Sequence, residues 1–177
     1  RHIKKVPCVD KTKKVNMDSL LTKKLKERHN IFGKFIFLYA GSVGTWYLME
    51  DMLDFFIIAR TVIPNAHFMI LTHVDKEMVK KLCDKKQLSE RDVTIIDAEF
   101  KDMPGYVGMA DAGIFFIKPV FSKMHSCPTK FAEYLACGLP VVINKSIGDT
   151  EEIVRKERIG IVVEDFNKEE YRRSIIE

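Results

Sequence analysis

The chain has 177 residues, 46% of them hydrophobic, with a formal net charge of +4. That is enough chain for one domain with its own core, needing neither disulfides nor metal to fold. No apolar run approaches the roughly 18 residues of a membrane span, and Arg1-His2-Ile3-Lys4-Lys5 lacks the apolar centre of a secretory signal, so the default compartment is the cytoplasm.

Residues 1–30 stand apart from the rest of the chain. Val6-Pro7-Cys8-Val9-Asp10 reads as a segment crossing between domains, and 20–29 as a lead-in helix. The chain opens without a methionine, and the expectation is a fragment of a longer protein. Much of the positive charge lies in 4–14 and in Lys23-Lys24-Leu25-Lys26. Such clusters suit a solvated surface near a domain edge, or acidic lipid headgroups at the membrane periphery. They are not interleaved with aromatics, which argues against nucleic acid.

From residue 31 short apolar runs alternate with amphipathic stretches. Strands are predicted at 36–40, 68–71, 93–96, 113–117, 140–143 and 160–163. Helices are predicted at 49–63, 76–86, 103–110, 129–137, 150–156 and 168–176. The runs are continuous rather than alternating, as in strands covered on both faces. The fold class is therefore α/β: a Rossmann-like, doubly wound parallel sheet of about six strands, over 31–177. Ligands of such sheets bind beyond the carboxyl ends of the strands. The informative loops are thus 41–47, 72–76, 97–103, 118–130 and 144–150.

The first loop reads Gly41-Ser42-Val43-Gly44-Thr45-Trp46-Tyr47. Glycines there let a backbone approach a ligand closely. The spacing is neither a dinucleotide fingerprint nor a Walker loop. In Pro128-Thr129-Lys130-Phe131-Ala132-Glu133, Pro128 suits a helix start, with Ser126 or Cys127 near the cap. The helix amides favour a phosphate, to which Thr129 adds a hydroxyl and Lys130 a cation. Glu133, one turn on, could accept hydrogen bonds from a ribose diol. Phosphate contacts followed by a diol acceptor compose a nucleoside-diphosphate site. The same residues would also serve as a plain helix start with Glu133 paired to Lys130. Lys118 could reach a phosphate from the fourth strand, Asp149 could cap the next helix, and His73 and His125 are candidates for acid–base or sugar contacts. The spacing holds no catalytic triad and no metal-ligand set. Cys8, Cys83, Cys127 and Cys137 form no CxxC pair and read as reduced thiols.

The segment from Pro128 through Glu133-Tyr134-Leu135-Ala136-Cys137-Gly138-Leu139-Pro140-Val141-Val142 resembles the second-glutamate helix and Gly-x-Pro-Val-Val strand of glycosyltransferase family 4, the retaining GT-B enzymes. The first loop is similar to the Gly-Ser-x-Gly-Thr-Trp-Tyr of a bacterial and archaeal subgroup, and 6–10 resembles the family's crossing segment. The resemblance implies the donor-binding half of a GT-B enzyme. It would bind a UDP- or GDP-sugar as substrate, with no cofactor. A glycan or lipid-linked acceptor would bind on an N-terminal domain absent from this chain, in polysaccharide biosynthesis. It implies Glu133 on the ribose, Thr129 and Lys130 on the diphosphate, Gly41, Ser42 and Gly44 lining the donor cleft, and 97–100 beside the base. Two departures stand out. The first loop lacks the family's arginine and lysine, for which Lys118 or Lys130 could substitute. The upstream glutamate, eight residues before Glu133, is replaced by His125, a candidate catalytic contact to the sugar. A nucleotide-sugar 2-epimerase half-domain and a non-catalytic nucleotide-sugar-binding module are the competing readings.

Overall fold

The computed structural model describes residues 19–73, 76–99, 102–122 and 128–176, with 19 and 20 described by backbone alone. The crossing segment at 6–10, the basic cluster at 4–14, Phe100, His125, Ser126 and Cys127 lie outside the described residues.

In chain order the elements are α1 (Ser19–Arg28), β1 (Phe35–Ala40), α2 (Met49–Val62), β2 (Ala66–Leu71), α3 (Lys76–Lys85), β3 (Val93–Ile96), α4 (Met103–Met109), β4 (Ala112–Phe115), α5 (Thr129–Ala136), β5 (Val141–Asn144), α6 (Thr150–Glu157), β6 (Gly160–Val163) and α7 (Lys168–Ile176). The strands form one sheet in the order β3-β2-β1-β4-β5-β6, and every pairing is parallel. This is a Rossmann-like α/β fold of the doubly wound kind, whose strand order reverses between β1 and β4.

Burial explains the unbroken apolar runs. All six residues of β2 and the four middle residues of β1 are buried. Helix α2 lies over the sheet and packs against α3 and α7. Phe55 of α2 meets both Phe116 and Tyr171 edge-on, at centroid distances of 5.9 and 5.6 Å. Right-handed crossovers carry α4, α5 and α6 to the opposite face. There α1 packs on α4, and Gly105 leaves room for the Leu25 side chain: a methyl group at that position would come within 2.8 Å of Leu25 Cδ1.

The predicted strand at 113–117 ends early, at Phe115. Ile117 leaves the ladder because its backbone N–H and C=O are both taken by the buried Asn144 side-chain amide, at 2.8 and 2.9 Å. Ile117 instead bridges antiparallel to Tyr47 of the first loop.

The seam between β1 and β4 is short. Backbone register covers only Phe37 with Ala112 and Leu38 with Gly113. Side chains complete it at both ends. The Asp111 carboxylate accepts from Ile36 N–H at 2.9 Å. The Tyr134 hydroxyl accepts from Ala40 N–H at 3.0 Å and points back to the Leu38 carbonyl at 3.4 Å. Gly113 makes this possible. A methyl group there would lie 2.7 Å from Tyr134 Cε2.

Gly113→Ala should therefore cost about 1–3 kcal/mol, by forcing the Tyr134 ring off its site in a close-packed core. Urea unfolding of the two proteins measures it. His67 supplies a pH test. It is buried on β2, accepts from or donates to Thr94 Oγ1 at 2.8 Å, and burial holds its pKa below 6.5. The unfolded chain then binds more protons, so stability should fall as pH drops below 6.5 through the lowered folded value. His67→Gln should flatten that slope in unfolding curves taken from about half a unit above the ordinary histidine value to about one and a half units below it.

Candidate functional site

The two sequence segments singled out as candidates meet at the point where the strand order reverses. β1 ends at Ala40, and the chain turns away through Gly41, which has φ +143°, and Gly44, with φ +99°. Leu48 N–H donates to Phe116 O at 2.9 Å, and Lys118 N–H donates to Trp46 O at 2.8 Å. The first loop is thus laid along the exit of β4.

On the other side of the crevice stands α5. Tyr134 anchors it to β1, and the helix start is thereby brought beside Gly41. Pro128 occupies the N-cap position and gives no side-chain cap. Phe131 N–H is taken by the Pro128 carbonyl at 3.0 Å, and the Thr129 and Lys130 amides make no hydrogen bond among the described residues. Gly138, at φ +69°, closes the far end in the left-handed conformation expected of it.

Lys130 lies across the gap between the two segments. Its residue is only 8% exposed. The ammonium rests 4.0 Å from the centroid of the Tyr47 ring and 5.5 Å from that of Tyr39. Its end fills the space that a side chain on Gly41 would take: a methyl group there would collide with Nζ and lie 2.7 Å from Cε. No carboxylate pairs with Lys130 among the described residues. The alternative of a Lys130–Glu133 pair is therefore not what forms. Lys130 turns inward over the tyrosines, while Glu133 stays exposed and its carboxylate makes no hydrogen bond or ion pair among the described residues.

The neighbouring groups are ordered. Tyr39 donates its hydroxyl to the Ser42 carbonyl at 2.5 Å, which fixes the loop just after Gly41. Tyr39 and Tyr47 meet edge-on at 5.8 Å. Burial raises the hydroxyl pKa of Tyr39 and of Tyr134 well above the ordinary tyrosine value, so both act as neutral hydrogen-bonding groups.

Thr129 is exposed at the first position of α5, and Ser42 is exposed on the loop opposite. The Lys118 side chain is exposed at the exit of β4. At the ends of β2 and β3 the Asp97 carboxylate is shared by His73 Nδ1 and by Lys76 Nζ, the latter at 2.8 Å. Those two hydrogen bonds, Lys76's first, hold Asp97 below the usual carboxylate range. His73 is therefore engaged by Asp97 rather than standing alone. Asp149 takes the N-cap position of α6 without making a side-chain cap bond. Among the described residues no group of three His, Cys, Asp or Glu side chains could hold a metal ion, and no helix is long and apolar enough to cross a membrane.

Tyr39, Tyr47, Tyr134 and Asn144 build the site, yet no sequence motif marks them for it. The available signal is a polar tip near the end of a buried run: Tyr39 is the last but one residue of Phe35–Ala40, and Asn144 closes Val141–Asn144.

The fold matches solved glycosyltransferase structures of GT-B architecture. WaaG, a glycosyltransferase involved in lipopolysaccharide biosynthesis, superposes with a TM-score of 0.65 at 13% identity, over 92% of this chain and 43% of that one. Anabaena Alr3699/HepE, in complex with UDP and glucose, gives 0.65 at 16% identity, over 89% and 42%. A glycosyltransferase from Rickettsia africae ESF-5 gives 0.65 at 16% identity, over 93% and 42%. The chain thus spans less than half the length of these structures. No curated protein sequence matches it significantly. The family model for group 1 glycosyl transferases matches residues 34–177, and the chain belongs to that family.

The contact between Gly41 and Lys130 yields a test. Gly41→Ala should destabilise the fold by about 1–2 kcal/mol, from positive-φ strain and the collision with Nζ. Combining it with Lys130→Ala removes the collision. The two changes should then be non-additive by at least about 0.5 kcal/mol in a double-mutant cycle from thermal or urea unfolding.

Proposed function

We propose that the chain is the donor-binding half of a retaining glycosyltransferase, transferring a sugar from a UDP- or GDP-sugar to a glycan or lipid-linked acceptor. One observation carries the reading: the Lys130 ammonium is buried, has no carboxylate partner among the described residues, and lies at the sheet's switch point. A buried charge is costly unless it is paired, so a site built this way suits an anionic ligand. The start of α5, where Pro128 gives no side-chain cap, adds amide dipoles of the same sign.

A diphosphate in the crevice would meet Lys130, Thr129 and the first-turn amides of α5. Gly41, Ser42 and Gly44 would border it from the other side, and Glu133 would receive the ribose hydroxyls one turn further along. Lys118 is the second cation within the same rim. As the glycosidic bond breaks, charge grows on the leaving diphosphate. Donors already in place for that charge need not reorganise during the reaction. Lys130 would thereby stand in for the basic residues that the family carries in the first loop. His125 would approach the sugar where the family has its upstream glutamate. The donor is a substrate and not a resident cofactor. The acceptor domain belongs to a longer protein, of which residues 1–30 would form the crossing and lead-in, and the transfer would take place in the cytoplasm, at a membrane periphery that the basic clusters could touch.

The structures of similar fold support this reading, among them the one solved with UDP and glucose. Isothermal titration with UDP and GDP tests it. Glu133→Ala should weaken nucleotide binding by about 1–3 kcal/mol, the cost of losing a charged acceptor. Lys130→Ala should weaken it and also reduce its dependence on salt, since a phosphate contact is removed. Unchanged affinity in a folded Glu133→Ala protein would overturn the ribose assignment. Hydrolysis or transfer by the full-length protein separates an enzyme from a binding module, and conversion of UDP-GlcNAc without acceptor would identify an epimerase.

A further inference from the structure

Resting on that donor-site reading, we propose that Tyr47 is the positioning residue for the diphosphate cation: its ring face holds the Lys130 ammonium at the crevice, and Asn144 holds Tyr47.

The observations form a chain of contacts. Lys130 Nζ sits 4.0 Å from the Tyr47 centroid, well within the range where a ring quadrupole attracts a cation. The Tyr47 hydroxyl makes no hydrogen bond among the described residues, so the ring face is the part of Tyr47 that Lys130 uses. The ring is not free to move. Tyr47 bridges antiparallel to Ile117 and to Gly44, and it packs edge-on against Tyr39. Ile117 is gripped at both backbone groups by the Asn144 side chain, which is 3% exposed. A lysine side chain has four rotatable bonds, and ordering it on binding costs entropy. A platform that fixes the ammonium beforehand removes that cost from the binding step.

The platform also explains how a buried ammonium persists when no ligand is bound. The two ring faces compensate part of the lost hydration without neutralising the charge, which a carboxylate would do. The cation remains available to an incoming anion. A carboxylate at the same place would compete with the diphosphate.

The experiment compares Tyr47→Phe, which keeps the ring face, with Tyr47→Leu, which removes it. Affinities of each for UDP against uridine, and for GDP against guanosine, are measured by calorimetry. The informative quantity is the gain that the diphosphate brings. Tyr47→Phe should keep that gain within about twofold. Tyr47→Leu should lose roughly tenfold of it while nucleoside affinity stays unchanged. Equal gains in the two variants would overturn the proposal. So would a Tyr47→Leu loss shared equally by nucleoside and diphosphate, which marks general damage to the loop. If Lys130→Met removes the gain and Tyr47→Leu does not, the donor site stands and the role of Tyr47 falls. If the wild-type chain binds none of the four probes, the donor-site reading falls and this proposal with it. A ligand-free readout accompanies these. After reductive ¹³C-methylation, the Lys130 signal should lie upfield in wild type and Tyr47→Phe through the ring current, and return toward the other lysines in Tyr47→Leu. An unshifted wild-type signal would equally overturn the proposal.

Discussion

The hydrogen bond from Ala40 N–H to the Tyr134 hydroxyl is the constraint on which the site depends. At the top of β1 the neighbouring strand has already turned away, and backbone pairing with β4 stops at Leu38. A buried N–H without a partner is expensive. A helix side chain supplies the partner, and in doing so fixes the distance between α5 and β1. The sheet has opened into a crevice, yet its walls are held in register by a side chain reaching across from a helix.

Everything polar in the crevice depends on that registration. Once Tyr134 fixes α5, Lys130, four residues earlier on the helix, has Gly41 and two tyrosine rings as its surroundings. Lysine is a compact charge on an apolar stem, suited to a narrow passage between rings. On the opposite wall Asn144 does for β4 what Tyr134 does for β1. It satisfies the backbone of Ile117 at the point where the ladder ends. Two buried side-chain groups, one on a helix and one at the end of a strand, thus fix the backbone on either side of the crevice. The chain belongs to the group 1 glycosyl transferases, and one fold can host many chemistries. The character of this member accordingly lies in which groups line the crevice.

The sheet and its helices were legible in the sequence because parallel strands covered on both faces leave long apolar runs, as in Phe35–Ala40 and Ala66–Leu71. Glycine and proline mark the breaks between them. The error at 113–117 has a definite cause. Ile117 is as apolar as its neighbours, and only the distant Asn144 decides that its backbone turns from strand to bridge. The candidate site was legible as two separate segments, because glycine after a strand and Pro-Thr-Lys at a helix start are local signals. Their meeting was not. The sequence shows Lys130 and Glu133 at pairing distance on a helix, and nothing local says that the lysine turns away toward position 41. That outcome depends on Tyr39 and Tyr47, whose rings belong to a remote part of the chain.

Gly41 and Lys130 share one small volume, which ties their evolution together. A relative with any side chain at position 41 must vacate the space that Nζ and Cε occupy here. It would carry a shorter residue at 130, or aim its lysine elsewhere and take its cation from the loop. Substitution at either position is thus conditional on the other. Among relatives the bare glycine and the inward lysine should be inherited as a unit, and members that arm the loop with its own basic residue should have released both.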